Sequence, residues 1–188
     1  EARALRVPEV GGARTGLYLK AARLACRLVD DRPVLAGMIG PFSLAGRLME
    51  VSEALANCLA DPDFIIAALE KTTEFLIKYA TAYKSTGVVG ILMAEPLAGL
   101  LSPELEREFS APYVKRITDA VSDDNFCIFY HNCGANTPGM TESLSANGAV
   151  AYHFGDAINL EDVLIKMPSD KPVLGNISPT KQFLNGTP

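Results

Sequence analysis

The sequence has no tryptophan, only two histidines, and four cysteines in 188 residues. No apolar run approaches the ~20 residues that a helix needs to cross a bilayer, so no membrane partner is expected. A basic surplus is also missing: 17 Lys and Arg face 22 Asp and Glu, for a net charge of −5. That balance argues against nucleic acid or an anionic surface as a partner. The cysteines (Cys26, Cys58, Cys127 and Cys133) lack the spacing of a disulfide framework, and a reduced, cytoplasmic setting is expected. No glycine-rich loop follows a strand, and no G-x-S-x-G elbow is present, which removes the common nucleotide and serine-hydrolase signatures. Internal repeats and low-complexity segments are absent as well.

What is present is an ordinary globular composition, 48% hydrophobic and 21% charged, in a chain long enough for one domain with a core. Residues 34–39 (VLAGMI), 88–93 (VVGILM), 126–131 (FCIFYH), 150–154 (VAYHF) and 171–176 (KPVLGN) read as strands. Between them the spacing predicts helices over 15–30, 44–59, 61–84, 102–121, 137–146 and 160–166. Ser43, Asp61-Pro62 and Ser102-Pro103 supply the cap signals for three of these. About five alternations of apolar strand and helix predict an α/β fold, a parallel sheet with helices outside, either open or closed as a barrel. In both architectures ligands sit at the carboxyl ends of the strands. The candidate site is therefore Gly40-Pro41-Phe42, Glu95-Pro96, His131-Asn132-Cys133, His153 and Gly175-Asn176.

The most informative stretch is 126–134, FCIFYHNCG. In a strand, side chains alternate between faces, which puts His131 and Cys133 on one face and Asn132 on the other. An imidazole nitrogen and a thiolate sulfur are two of the four ligands a zinc ion takes. By spacing alone, the pair reads more readily as a hydrogen-bonded histidine beside a small thiol, and the metal reading needs two more donors. Glu95, at the end of the preceding strand, is a candidate third donor or an ordinary loop carboxylate. His153 is a weaker candidate. Cys127 shares the parity of His131 but lies ~13 Å back along the strand, too far to share an ion. Cys26 and Cys58 fall on predicted helices as core filler.

At these strand ends the chain resembles the uroporphyrinogen decarboxylase family, including its cobamide-dependent methyltransferase branch. The resemblance is carried by Gly40-Pro41-Phe42-Ser43-Leu44, then Glu95-Pro96-Leu97-Ala98-Gly99 with Leu101-Ser102-Pro103. Phe109, Pro112-Tyr113 and His131-Asn132-Cys133-Gly134 follow, and the last pieces are Gly175-Asn176-Ile177-Ser178-Pro179 and Gly186-Thr187-Pro188. It implies a (β/α)8 barrel of which residues 1–188 form a single partial domain. The family's arginine-bearing amino-terminal strand has no counterpart here, and its carboxyl-terminal strands, with the methyltransferases' last zinc cysteine, would follow Pro188.

The H-x-C pair favours the methyltransferase branch. In that branch, the resemblance implies zinc held by His131 and Cys133, with Glu95 as a further or displaceable ligand. Gly40, Pro41, Phe42 and Ser43 would line the tetrapyrrole-facing mouth, with Asn176 and His153 against substrate. A methylated corrinoid, free methylcobamide or protein-bound, would donate the methyl group to a small thiol. The alternatives are a uroporphyrinogen III decarboxylase of porphyrin biosynthesis, which keeps the mouth without zinc, and a non-catalytic corrinoid-binding subunit.

Overall fold

In the computed structural model, which describes residues 2–187, five parallel strands stand side by side in chain order. They are β1 (Leu35–Ile39), β2 (Gly90–Ala94), β3 (Cys127–Asn132), β4 (Ala151–Phe154) and β5 (Val173–Leu174). A doubly wound sheet reverses its strand order at a switch point, whereas sequential order with helical crossovers is the arrangement of a (β/α) barrel. The five strand–helix units predicted by the alternation are all present.

The two faces of the sheet differ. Ala36, Met38, Ile91, Met93, Ile128, Tyr130, Tyr152 and Phe154 are buried on the helix-covered side. On the other side Leu35, Leu92 and Leu174 are each about two-fifths exposed, at 40%, 39% and 44%. Uniformly apolar strands lead one to expect burial on both faces. Among the described residues, helices cover one.

The helical layer centres on α4 (Pro62–Lys84), which packs on its neighbours through Ile65, Leu69, Leu76 and Ala80. Its start follows the predicted cap: the Asp61 carboxylate accepts a hydrogen bond from the Phe64 N–H at 3.2 Å, and Pro62 occupies the first turn. The helix α1 (Thr15–Leu28) also forms as expected, although Leu17, Tyr18, Leu24 and Leu28 on it are exposed.

Two long predicted helices are each divided. The segment predicted as 44–59 is α2 (Pro41–Met49) followed by α3 (Val51–Ala60). Gly40, with extended backbone, is the N-cap of α2; Ser43 lies inside the helix rather than capping it. The break falls at Glu50, whose φ of +81° no helix accommodates, and its carboxylate then caps α3 by accepting from the N–H groups of Ser52 and Glu53. The segment 102–121 becomes α5 (Pro103–Phe109) and α6 (Ala111–Val121). Ser102 caps α5 as predicted, while Pro112 has no N–H to continue the ladder and its ring opposes the turn before it.

Toward the end, a 3-10 turn at Thr137–Gly139 precedes α7 (Thr141–Ser145), and α8 (Leu160–Leu164) leads to β5. The strand expected over 171–176 is two residues long, and a π-helical turn at Pro179–Leu184 was not anticipated. No described helix is long and apolar enough to cross a membrane.

Candidate active site

The site is set by strand register. His131 pairs with Ala94 of β2 and with His153 of β4. Paired residues of a parallel sheet point to the same face, so both histidines emerge on the open side at the carboxyl end of the sheet. Their Nδ1 atoms are 2.8 Å apart, and His131 Nδ1 is also 3.2 Å from the His153 carbonyl oxygen. Burial, and then the neighbouring His153, hold the His131 imidazole below its ordinary value. Two residues on, just past the end of β3, Cys133 is exposed. Gly155 packs directly against it: a Cβ there would lie 2.7 Å from Cys133 Cβ and 2.9 Å from its Cα.

Asn132 faces the opposite way and is fully buried. Its Oδ1 accepts from the Gly134 N–H at 2.9 Å, closing the turn that ends β3, as Asn side chains do two residues ahead of themselves. In that turn Gly134 lies against Gly99, and a Cβ on either residue would overlap the other's backbone. Because backbone cannot swing aside as a side chain does, Gly134→Ala is expected to lower stability by about 2–3 kcal/mol. A urea-unfolding midpoint checks this.

Glu95 corrects the sequence reading. It continues β2 beyond Ala94, so its parity is that of Asn132, not His131. Its side chain is fully buried on the helix side, where Oε2 accepts from the Phe42 N–H at 3.1 Å and Oε1 from the Ser43 N–H at 2.5 Å. The carboxylate thus holds the first turn of α2 and does not join His131 and Cys133. Burial pushes it up to about 7, against the pull of its bonds to Ser43 and Phe42. Behind it, Glu106 is also buried and raised to about 7 by burial, with the Ser143 hydroxyl donating to Oε2. Nothing in the sequence marked Glu106 as part of this region, because only packing brings α5 behind β2 and β3.

The loop expected to line the mouth has turned inward. Phe42 is fully buried, Gly40 N–H donates to the Ala94 carbonyl at 2.7 Å, and Ser43 Oγ accepts from the Leu97 N–H at 3.1 Å. Pro41 is buried with them. Asn176 donates from Nδ2 to the carbonyls of Gly155 (3.2 Å) and Ile158 (2.8 Å), so it fastens the loop after β4, the one that carries Gly155. An open depression of about 360 Å³ beside the histidine face is lined by Ile39, Leu92, Ala94, Pro96 and, unforeseen in the sequence, Arg47.

The donor chemistry on the open face, two imidazoles and a thiol, suits zinc. The fit is partial: among the described residues no three His, Cys, Asp or Glu side chains gather closely enough to hold a metal ion. Cys127, raised by burial, stays a structural thiol.

Comparison with known proteins bears on this geometry. The sequence model of the uroporphyrinogen decarboxylase (URO-D) family matches residues 1–188. The methylcobamide:CoM methyltransferase MtbA of Methanosarcina mazei is 29% identical over 178 residues, 93% of this chain and 52% of that protein. The methylcobamide:CoM methyltransferase MtaA of Methanosarcina barkeri is 30% identical over 83% of this chain and 46% of its own length. A uroporphyrinogen decarboxylase of Xanthomonas campestris is 27% identical over 88% of this chain and 49% of its own. The chain thus spans about half the length of these relatives. A solved methyltransferase structure from Methanosarcina mazei superposes with a TM-score of 0.84 at 21% identity, over 99% of this chain and 58% of that one, and shares its fold.

Proposed function

We propose, because this chain belongs to the uroporphyrinogen decarboxylase (URO-D) family, that it is the site-bearing part of a zinc-dependent methyltransferase. The enzyme moves a methyl group from a methylated corrinoid, free or carried by a corrinoid protein, to a small thiol. The observation that carries this reading is His131 on the open face at the carboxyl end of β3, with the exposed Cys133 two residues on, together with methylcobamide-dependent relatives at 29% and 30% identity.

His131 and Cys133 would hold the metal. Glu95 is assigned to α2 instead, since both its oxygens are engaged there. When bound, zinc supplies the positive charge that keeps an acceptor thiol in its thiolate form near neutral pH. This chain's residues do the rest. Burial disfavours the charged form of His131 and so favours the ring that can offer a nitrogen lone pair at the strand end. Gly155 leaves room for the Cys133 side chain, and Asn176 fixes the loop that carries that glycine. The uncovered sheet face beside Ile39, Leu92 and Ala94 gives an apolar approach for the methyl donor. A methylated corrinoid bound there would supply the methyl group, keeping the cobalt–carbon electron pair as the thiolate pair makes the sulfur–carbon bond.

A second reading, a uroporphyrinogen decarboxylase, is favoured by the Xanthomonas relative at 27% identity. Zinc analysis of the full-length protein separates the two. Near-stoichiometric zinc in the wild type, lost in Cys133→Ala, is the expected result and points the assay to methylcobalamin and thiols. No zinc in either protein would sink the methyltransferase reading and make uroporphyrinogen the substrate to assay.

A further inference from the structure

We propose that a groove between α2 and α4 binds a single-chain amphiphilic anion, its acidic head at Arg6 and Lys71 and its chain along the seam between the two helices. The site lies in the helical layer and stands independently of the function proposed above. The groove has a volume of about 340 Å³ and is bounded on one side by residues 5–8. Leu44 and Leu48, one turn apart on α2, form an apolar wall, which Phe75 of α4, Leu5 and Val7 extend. Leu48 is 63% exposed and Leu5 48%, so apolar surface stands open to water here. A mostly apolar concavity carrying a few polar groups is the usual form of a small-molecule site.

The polar groups decide the ligand's charge. Arg6 and Lys71 line the groove, no carboxylate does, and neither cation is in an ion pair among the described residues. The acids flanking Lys71 on α4 are engaged elsewhere: Glu70 with Arg116 at 2.6 Å and Glu74 with Lys78 at 2.9 Å. Thr72, also on the wall, already donates its hydroxyl to the Pro41 carbonyl at 3.1 Å. In a chain of net charge −5, two unpaired cations beside apolar walls select an anion with an apolar body. The shape sets the length of that body. Leu44 and Phe75 also wall a second cavity of about 220 Å³, whose other walls include Met38, Tyr18, Tyr79 and Tyr83. The Tyr79 and Tyr83 hydroxyls bond each other at 2.8 Å, which leaves their rings as the surface on offer. A straight hydrocarbon chain laid along Leu44 and Phe75 covers this apolar surface, whereas a compact anion leaves it wet.

Calorimetric titration of the full-length protein with decanoate, octanoate and decanol tests the assignment. Decanoate is expected to bind saturably, and about 5- to 15-fold more tightly than octanoate, because two more methylene groups are buried. Decanol has the chain without the charge and should bind at least about 10-fold more weakly than decanoate. The double variant Arg6→Gln, Lys71→Gln removes both cations and should bring decanoate down to the affinity of decanol, with decanol itself little changed. No saturable binding of decanoate, equal affinities for decanoate and decanol in the wild type, or undiminished decanoate binding by the double variant overturns the proposal. Zinc content plays no part in this readout, so failure of either proposal leaves the other standing.

Discussion

Glu95→Ala is expected to destabilise the protein by about 3–5 kcal/mol, the largest loss from a single side chain in this region. The carboxylate is fully buried and accepts from two backbone N–H groups at the start of α2. Removing it leaves both donors without a partner, at about 1–3 kcal/mol each, and takes a negative charge from the positive end of a helix. Glu95→Gln keeps the shape and one acceptor, so its loss should be smaller. The midpoint of urea unfolding measures both. Since Glu95 faces the helices, the zinc content of folded Glu95→Gln should equal that of wild type. A variant of unchanged stability that lost its zinc would restore Glu95 as a ligand and contradict its assignment to α2.

The second large effect is in the pH dependence of stability. Glu95 and Glu106 each sit at about 7 in the folded protein, against an ordinary value of 4.5, and burial is the leading cause for both. A carboxyl whose folded value is raised binds its proton more tightly in the native state. Between pH 4.5 and 7 the folded protein therefore holds protons that the unfolded chain has released. The stability they contribute is full below about pH 4.5 and is lost as pH rises through about 7. Each group accounts for about 3 kcal/mol over that range. Glu106 is the cleaner test, because Oε1 has no protein partner among the described residues while Oε2 accepts from Ser143. The difference in unfolding free energy between pH 5 and pH 8 should be smaller in Glu106→Gln than in wild type by about 2.5 kcal/mol. Superimposable pH profiles would remove Glu106 as a titrating group.

Much of the site could be read locally. The two-residue period of a strand predicts His131 and Asn132 on opposite faces, and β3 carries that alternation to its end. The same local logic found the starts of α4 and α5, because Asp61 and Ser102 need only the N–H groups of the next few residues to act as caps. A proline ten residues into the segment 102–121 removes a donor, and the helix breaks there. The break at Glu50 was not visible: nothing about a glutamate announces a positive φ.

What the sequence by itself determined is the α/β alternation, the strand parity of His131 against Asn132, and the caps that start the helices. Each depends on residues within about one turn or one strand, where covalent geometry fixes the side-chain direction. Only the tertiary structure decided that Glu95 turns toward Phe42 and Ser43, 53 and 52 residues away, and that His153 meets His131. Those outcomes follow from register. Sliding one strand by a single residue past its neighbour exchanges the faces of every side chain on it, and that choice is made by the packing of the whole sheet against its helices.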